Sequence, residues 1–159
     1  MEKAKTMWIL ANLPHDLWKE IINSAVYLYN RTPREAQGWK TPYEVFYTAL
    51  AFGKARVGFL KKSNKPQLAH LRAYGSRAYA MTEKAQLKEK RKWKLNPRAY
   101  IGYLVGYDST NIFRVWIPYK GVVISTRDVI FDERTFVDEK FDDLSPQMIN
   151  EMNNLIAKI

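Results

Sequence analysis

"RAYIGYLVGYDSTNIFRVWIPYKGVVISTRDVIF", residues 98–131, breaks apolar, aromatic-rich runs with two turn clusters. The middle run alternates, with Phe113, Val115 and Ile117 on one face and Arg114 and Trp116 on the other, the period-two signature of a half-buried strand. The run from Arg98 to Tyr107 is apolar on both parities, as expected in a small, closely packed barrel. "DSTN" and "PYKG" supply residues that turns require. In "VVISTRDVIF" the apolar phase slips around Thr126 to Asp128, the expected trace of a bulge within one strand. Upstream, "LRAYGSRAYAM" (71–81) is also strand-like. Four or five short strands at this spacing predict a small antiparallel barrel over 71–137, with Tyr100, Ile101, Tyr103, Val105, Phe113, Val115 and Ile117 in its core.

The flanks read as helix. "EKAKTMWILANL" looks entered in mid-helix. Pro14 fits the first turn of a second helix, in which Leu17, Trp18, Ile21, Ile22, Ala25, Leu28 and Tyr29 recur on one side. That helix stops before "RTP", because the residue ahead of a proline is pushed out of the α region. "TPYE" predicts a capping box, Thr41 as N-cap and Glu44 reaching back, for a third helix ending near Gly53. Residues 54–70 lack periodicity and read as a linker. Beyond the barrel, Ser145 and Pro146 open a predicted C-terminal helix with Ile149, Met152, Leu155 and Ile156 as its stripe. The expected class is α+β: helices in 1–53, linker 54–70, barrel 71–137, and an acidic exit with a helix in 138–159.

Composition removes several classes of function. Among 159 residues there is no cysteine, so disulfides, thiolate nucleophiles and cysteine zinc sites are excluded. His15 and His70 accompany no recognisable nucleophile and read as structural or surface residues. "NRT" (30–32), followed by Pro33, reads as an incidental match to a glycosylation acceptor. "MWILANL" is cut short by Asn12 and Pro14, which does not suit a signal peptide, and no run is long enough for a bilayer span. An intracellular chain is expected. The net charge of +10 points to a polyanionic partner, and it is segregated. Residues 54–98 hold fourteen Lys or Arg against two acids, and residues 128–143 hold seven acids against two basic residues.

"LPHDLWKEIINSAVYLYNRTP", "TPYEVF", "HLRAYGSRAY", "KLNPRAYIGYLVGY", "FRVWIP" and "VVISTRDVIFDE" follow one another as in copia-type retrotransposon Pol polyproteins, just after the integrase catalytic core. The resemblance covers roughly residues 2–137, and "STNIFRVW" with "VISTRDVIF" looks most like fungal elements. It implies the last helices of a ribonuclease-H-like integrase core followed by an SH3-like barrel. It also implies that the two aspartates and one glutamate holding catalytic metal ions lie upstream, since Glu2 does not match that glutamate. This stretch is therefore expected to be no enzyme and to carry no cofactor or metal. Asp128, Asp132 and Glu133 read as the usual end of the last strand. Ser76 stands where relatives often have cysteine, and 51–64 is longer than the usual connection. Trp8, Trp18, Tyr29 and Phe46, shaped on this reading to meet an absent sheet, are expected either to expose apolar surface or to cover the barrel.

The expected function is nucleic-acid binding associated with DNA integration, DNA being the partner and RNA its alternative, through phosphate contacts. The candidates are Lys88, Lys90, Arg91, Lys92, Lys94 and Arg98 in the basic run, extended by Arg114, Trp116, Lys120 and Arg127. For Arg114 and Trp116, packing on the barrel surface or the helical part is an equal reading, and Trp93 reads as a pin for its loop. The run also fits a nuclear-import tag, with action in the nucleus. Neither a membrane nor a small-molecule substrate is expected. The alternatives are an SH3-like protein-interaction or multimer-bridging module with self-association, and a relic of a decayed element.

Overall fold

The computed structural model describes residues 2–53, 64–87 and 97–137. Three helices precede the sheet: α1 (Glu2–Ala11), α2 (Trp18–Tyr29) and α3 (Pro42–Gly53). The capping box forms as the sequence predicts. The Thr41 backbone N–H donates to the Glu44 carboxylate at 2.8 Å, and the Glu44 N–H donates to the Thr41 hydroxyl at 3.1 Å. These bonds hold the Glu44 carboxyl below its ordinary pKa, the backbone donor contributing most.

Five strands follow, β1 (Arg77–Met81), β2 (Ala99–Tyr107), β3 (Phe113–Ile117), β4 (Val122–Thr126) and β5 (Val129–Asp132), with a one-turn helix, α4 (Glu83–Gln86), between β1 and β2. Every pairing is antiparallel and the order is β4-β3-β2-β1-β5, a meander whose last strand returns beside the first. Two details correct the sequence reading. "VVISTRDVIF" is two strands, because the chain breaks at Arg127 and Asp128 and crosses to pair with β1. The bulge lies instead in β2, where the register shifts between Leu104 and Gly106.

The sheet is buried on two sides, which is why β2 is apolar on both parities. Its inner side packs Ala78, Ala80, Val115 and Ile117 with Tyr100, Phe113, Ile124, Val129 and Phe131. Its outer side sets Tyr103 and Val105 against Ala11, Leu13 and Leu17 of the helical part, with Trp8 and Trp116 packed alongside. Each wholly buried aliphatic side chain of this kind contributes about 1.5–3 kcal/mol. Ile101, assigned to the core by alternation, is instead 54% exposed, because the helices do not extend over its end of β2. Of the four aromatic residues in question, Trp8 joins the cluster on the barrel and Trp18 meets Trp8 edge-on at 6.1 Å, whereas Tyr29 and Phe46 are exposed.

The helix-to-sheet joint is close. Gly75 sits at φ +80°, and a Cβ there would lie 2.5 Å from the Ala11 Cβ, so only glycine lets the chain pass beneath α1 into β1. The bulge turns the Val105 carbonyl out of the ladder, and the buried Ser24 hydroxyl of α2 donates to it at 2.8 Å. The predicted C-terminal helix, residues 54–63 of the linker, and the side chains of Lys88, Lys90, Arg91, Lys92, Trp93 and Lys94 lie outside the described residues.

Candidate nucleic-acid interface

Arg114 and Trp116 sit on the face of β3 opposite Val115 and Ile117, and both are half-buried there. Helix α2 crosses it. Arg114 donates from Nε and Nη2 to both carboxylate oxygens of Glu20, at 2.7 and 2.8 Å. Its Nη1 reaches Asp108 at 3.5 Å. The fork raises the guanidinium pKa further, chiefly through the Glu20 bond. Trp116 packs on the cluster formed with Ala11, Leu13 and Leu17. Both residues thus contact the helical part. The small cleft beside this pair, about 350 Å³, is lined by Lys19, Asn23 and Tyr107 together with the paired charges.

The remaining described candidates attach around one end of the barrel, where β1 ends and β2 begins. Arg98 is exposed, and its carbonyl accepts from the Thr82 N–H at 2.8 Å, closing the strand pair just beyond Met81 and Ala99. Lys120 is exposed and places its ammonium 3.7 Å from the centre of the Tyr100 ring; a side-chain hydrogen bond with Tyr100 is the main cause of its raised pKa. Arg127 is exposed in the β4–β5 break, beside Asp128, whose carbonyl accepts from the Met81 N–H at 2.9 Å. In sequence the basic run 88–96, outside the described residues, falls between α4 and β2. Alternation within a strand cannot reveal such clustering; strand order and turn positions create it.

The acids at the end of the sheet have structural partners. Asp132 accepts from the Arg134 N–H at 3.1 Å and the Thr135 hydroxyl at 2.7 Å, bonds that lower its pKa, the hydroxyl most. Glu133 accepts from the Ala73 N–H at 3.0 Å and lies 3.6 Å from Arg72. Among the described residues no three His, Asp or Glu side chains group to hold a metal ion, and no helix is long and apolar enough to cross a membrane.

One site escaped the sequence reading. Tyr27 stacks on Tyr107 with centroids 5.0 Å apart, and His70 meets both rings edge-on. The Tyr27 hydroxyl lies 2.8 Å from His70 Nε2, and the Tyr107 hydroxyl donates to the Arg72 carbonyl at 2.8 Å. This latch ties residues 70–72 to α2 and β2. The three residues are 27, 70 and 107 in a chain with no local pattern linking them, so no spacing signal could have found it.

A five-stranded antiparallel meander with β5 returned to β1 has the form of an SH3-like barrel. Residues 76–144 match the retroviral polymerase SH3-like domain. The SH3-like match begins one residue after Gly75, so α1 to α3 lie upstream of it. Over 134 residues, 84% of its length, the chain is 32% identical to a tobacco protein, the retrovirus-related Pol polyprotein from transposon TNT 1-94. It spans about a tenth of that relative, 9% of its length. No solved structure matches.

Proposed function

We propose that this chain is part of a copia-type retrotransposon Pol polyprotein and that its SH3-like domain serves the integrase by binding nucleic acid through phosphate contacts. The observation that carries this reading is the charge: fourteen Lys or Arg against two acids between residues 54 and 98. Exposed Lys120 and Arg127, which lie with exposed Arg98 around the end of the barrel where β1 ends and β2 begins, add to that charge. Lysine and arginine here neutralise phosphates and release condensed counterions, giving affinity with little sequence preference. The reading assigns no catalysis, metal or cofactor to these 159 residues and places their action in the nucleus. Arg114 and Trp116 drop out of the contact surface, being held against the helices.

Fluorescence anisotropy with a labelled duplex tests the proposal. Binding is expected to weaken steeply between about 50 and 200 mM salt, and Lys90→Glu, Arg91→Glu and Lys92→Glu together are expected to reduce the log-log salt slope by about 2–3. Absence of binding at low salt overturns it. A bridging role is favoured by a separate observation, the exposed Val45, Phe46, Tyr47 and Leu50 of α3. That role predicts a concentration-dependent mass in light scattering, unchanged by the charge reversals.

A further inference from the structure

The loop joining α2 to α3 carries an aromatic side chain that the packing leaves unused. Trp39 is 72% exposed and makes no ring contact among the described residues. Its backbone nevertheless sits in the left-handed region, at φ +61°. Asn12, the other described non-glycine residue with a positive φ, belongs to a type that tolerates this region, whereas a bulky aromatic is disfavoured there. The loop's own bonds hold the conformation. The Trp39 N–H donates to the Arg34 carbonyl at 2.8 Å, the Arg34 N–H to the Lys40 carbonyl at 3.2 Å, and the Gly38 N–H to the Glu35 carbonyl at 2.9 Å. The indole is thus presented to solvent from a closed, self-bonded loop.

Cations stand on the same loop. Arg34 lays its guanidinium 3.7 Å from the centre of the Tyr29 ring, which orients the planar fork without neutralising it. Lys40, bridged to Arg34 through the backbone, is exposed. Among the described residues neither has an ion-pair partner. Between residues 31 and 40 the one acid, Glu35, faces three basic residues, Arg31, Arg34 and Lys40, and Glu44 is bonded to Thr41 at the cap of α3. We propose that this loop is a landing site for an unpaired nucleic-acid strand, one base stacking on the Trp39 indole while Arg34 and Lys40 meet the adjoining phosphates. The chain neighbours of the indole are Gly38 and Lys40, a setting that suits a polyanion better than an apolar protein face. The inference rests on the nucleic-acid reading above and narrows its ligand. Phosphates are offered alike by a duplex and by a single strand, but a duplex keeps its base faces stacked on one another, so an aromatic platform selects the single strand.

Fluorescence anisotropy of the full chain with a labelled oligothymidylate, and with a duplex of equal length, tests this. Trp39→Ala is expected to weaken oligothymidylate binding at least about fivefold, the loss of one base–aromatic stack, and to leave duplex binding within about twofold. Trp39→Phe, which keeps a ring, should retain most of the affinity. Trp39→Gly relieves the positive φ, so it is expected to raise the denaturation midpoint while losing strand binding as Trp39→Ala does, which separates a lost contact from a lost fold. Unchanged oligothymidylate affinity in Trp39→Ala, in a chain that still binds the duplex, overturns this inference and leaves the barrel-end reading standing. Equal losses on the two probes overturn the strand preference. Absence of binding to either probe at low salt overturns both readings. A self-association in light scattering that Trp39→Ala abolishes assigns the loop to a second copy and also overturns the proposal.

Discussion

Removing the Arg114 guanidinium leaves the buried Glu20 carboxylate without its bidentate partner, and Arg114→Ala is expected to cost about 2–3 kcal/mol in chemical denaturation. Glu20→Gln added to that change should cost little more, giving a large coupling in a double-mutant cycle. Nucleic-acid affinity of the folded protein should move far less than stability does. His70 makes a second prediction. Burial, with Arg31 and Arg72 adding to it, pushes its pKa below the ordinary value, so the fold favours the neutral ring. Its Nε2 meets the Tyr27 hydroxyl, its Nδ1 is buried with no hydrogen-bond partner among the described residues, and the Tyr107 ring lies against it. The unfolded state binds the proton more readily, so this contribution is full above about pH 6.5 and is lost as pH falls through the folded pKa. Denaturation midpoints should decline between about pH 7 and 5, and His70→Gln should flatten that decline. Alternation placed Arg114 correctly on the face opposite Val115, but its partner lies 94 residues earlier, beyond any local pattern.

At the scale of elements, what was legible is what is locally determined. The capping box needs only Thr41 and Glu44, and β3 needs only its own alternation. The β4–β5 break was not legible, because a two-residue crossing and a bulge shift the apolar phase alike. Nor could β2 reveal that helices, rather than a second part of the barrel, cover its outer side. That cover yields a prediction. A fragment beginning at Ser76, where the family match begins, loses α1 and α2 and bares Tyr103, Val105 and Trp116. It is expected to bind more of a hydrophobic dye than the same barrel carrying residues 2–75 does.

Over the whole molecule, the segregated charge was plain in the sequence, while the grouping of Arg98, Lys120 and Arg127 around one end of the barrel depends on strand order. The two bonds that seat α2 join residues 81 and 94 positions apart, Ser24 to Val105 and Glu20 to Arg114. Such distant pairings slow folding, since a long loop must close before they repay its entropy. Their order along the chain adds a constraint during synthesis. Helix α2 leaves the ribosome first, and the strands that accept its Ser24 and Glu20 emerge only after roughly 80 to 90 more residues, several seconds later at about 5–20 residues per second. For that interval Leu17 and Ile21 lack the strands that α2 packs against, so helix α2 reaches its final place long after it is made.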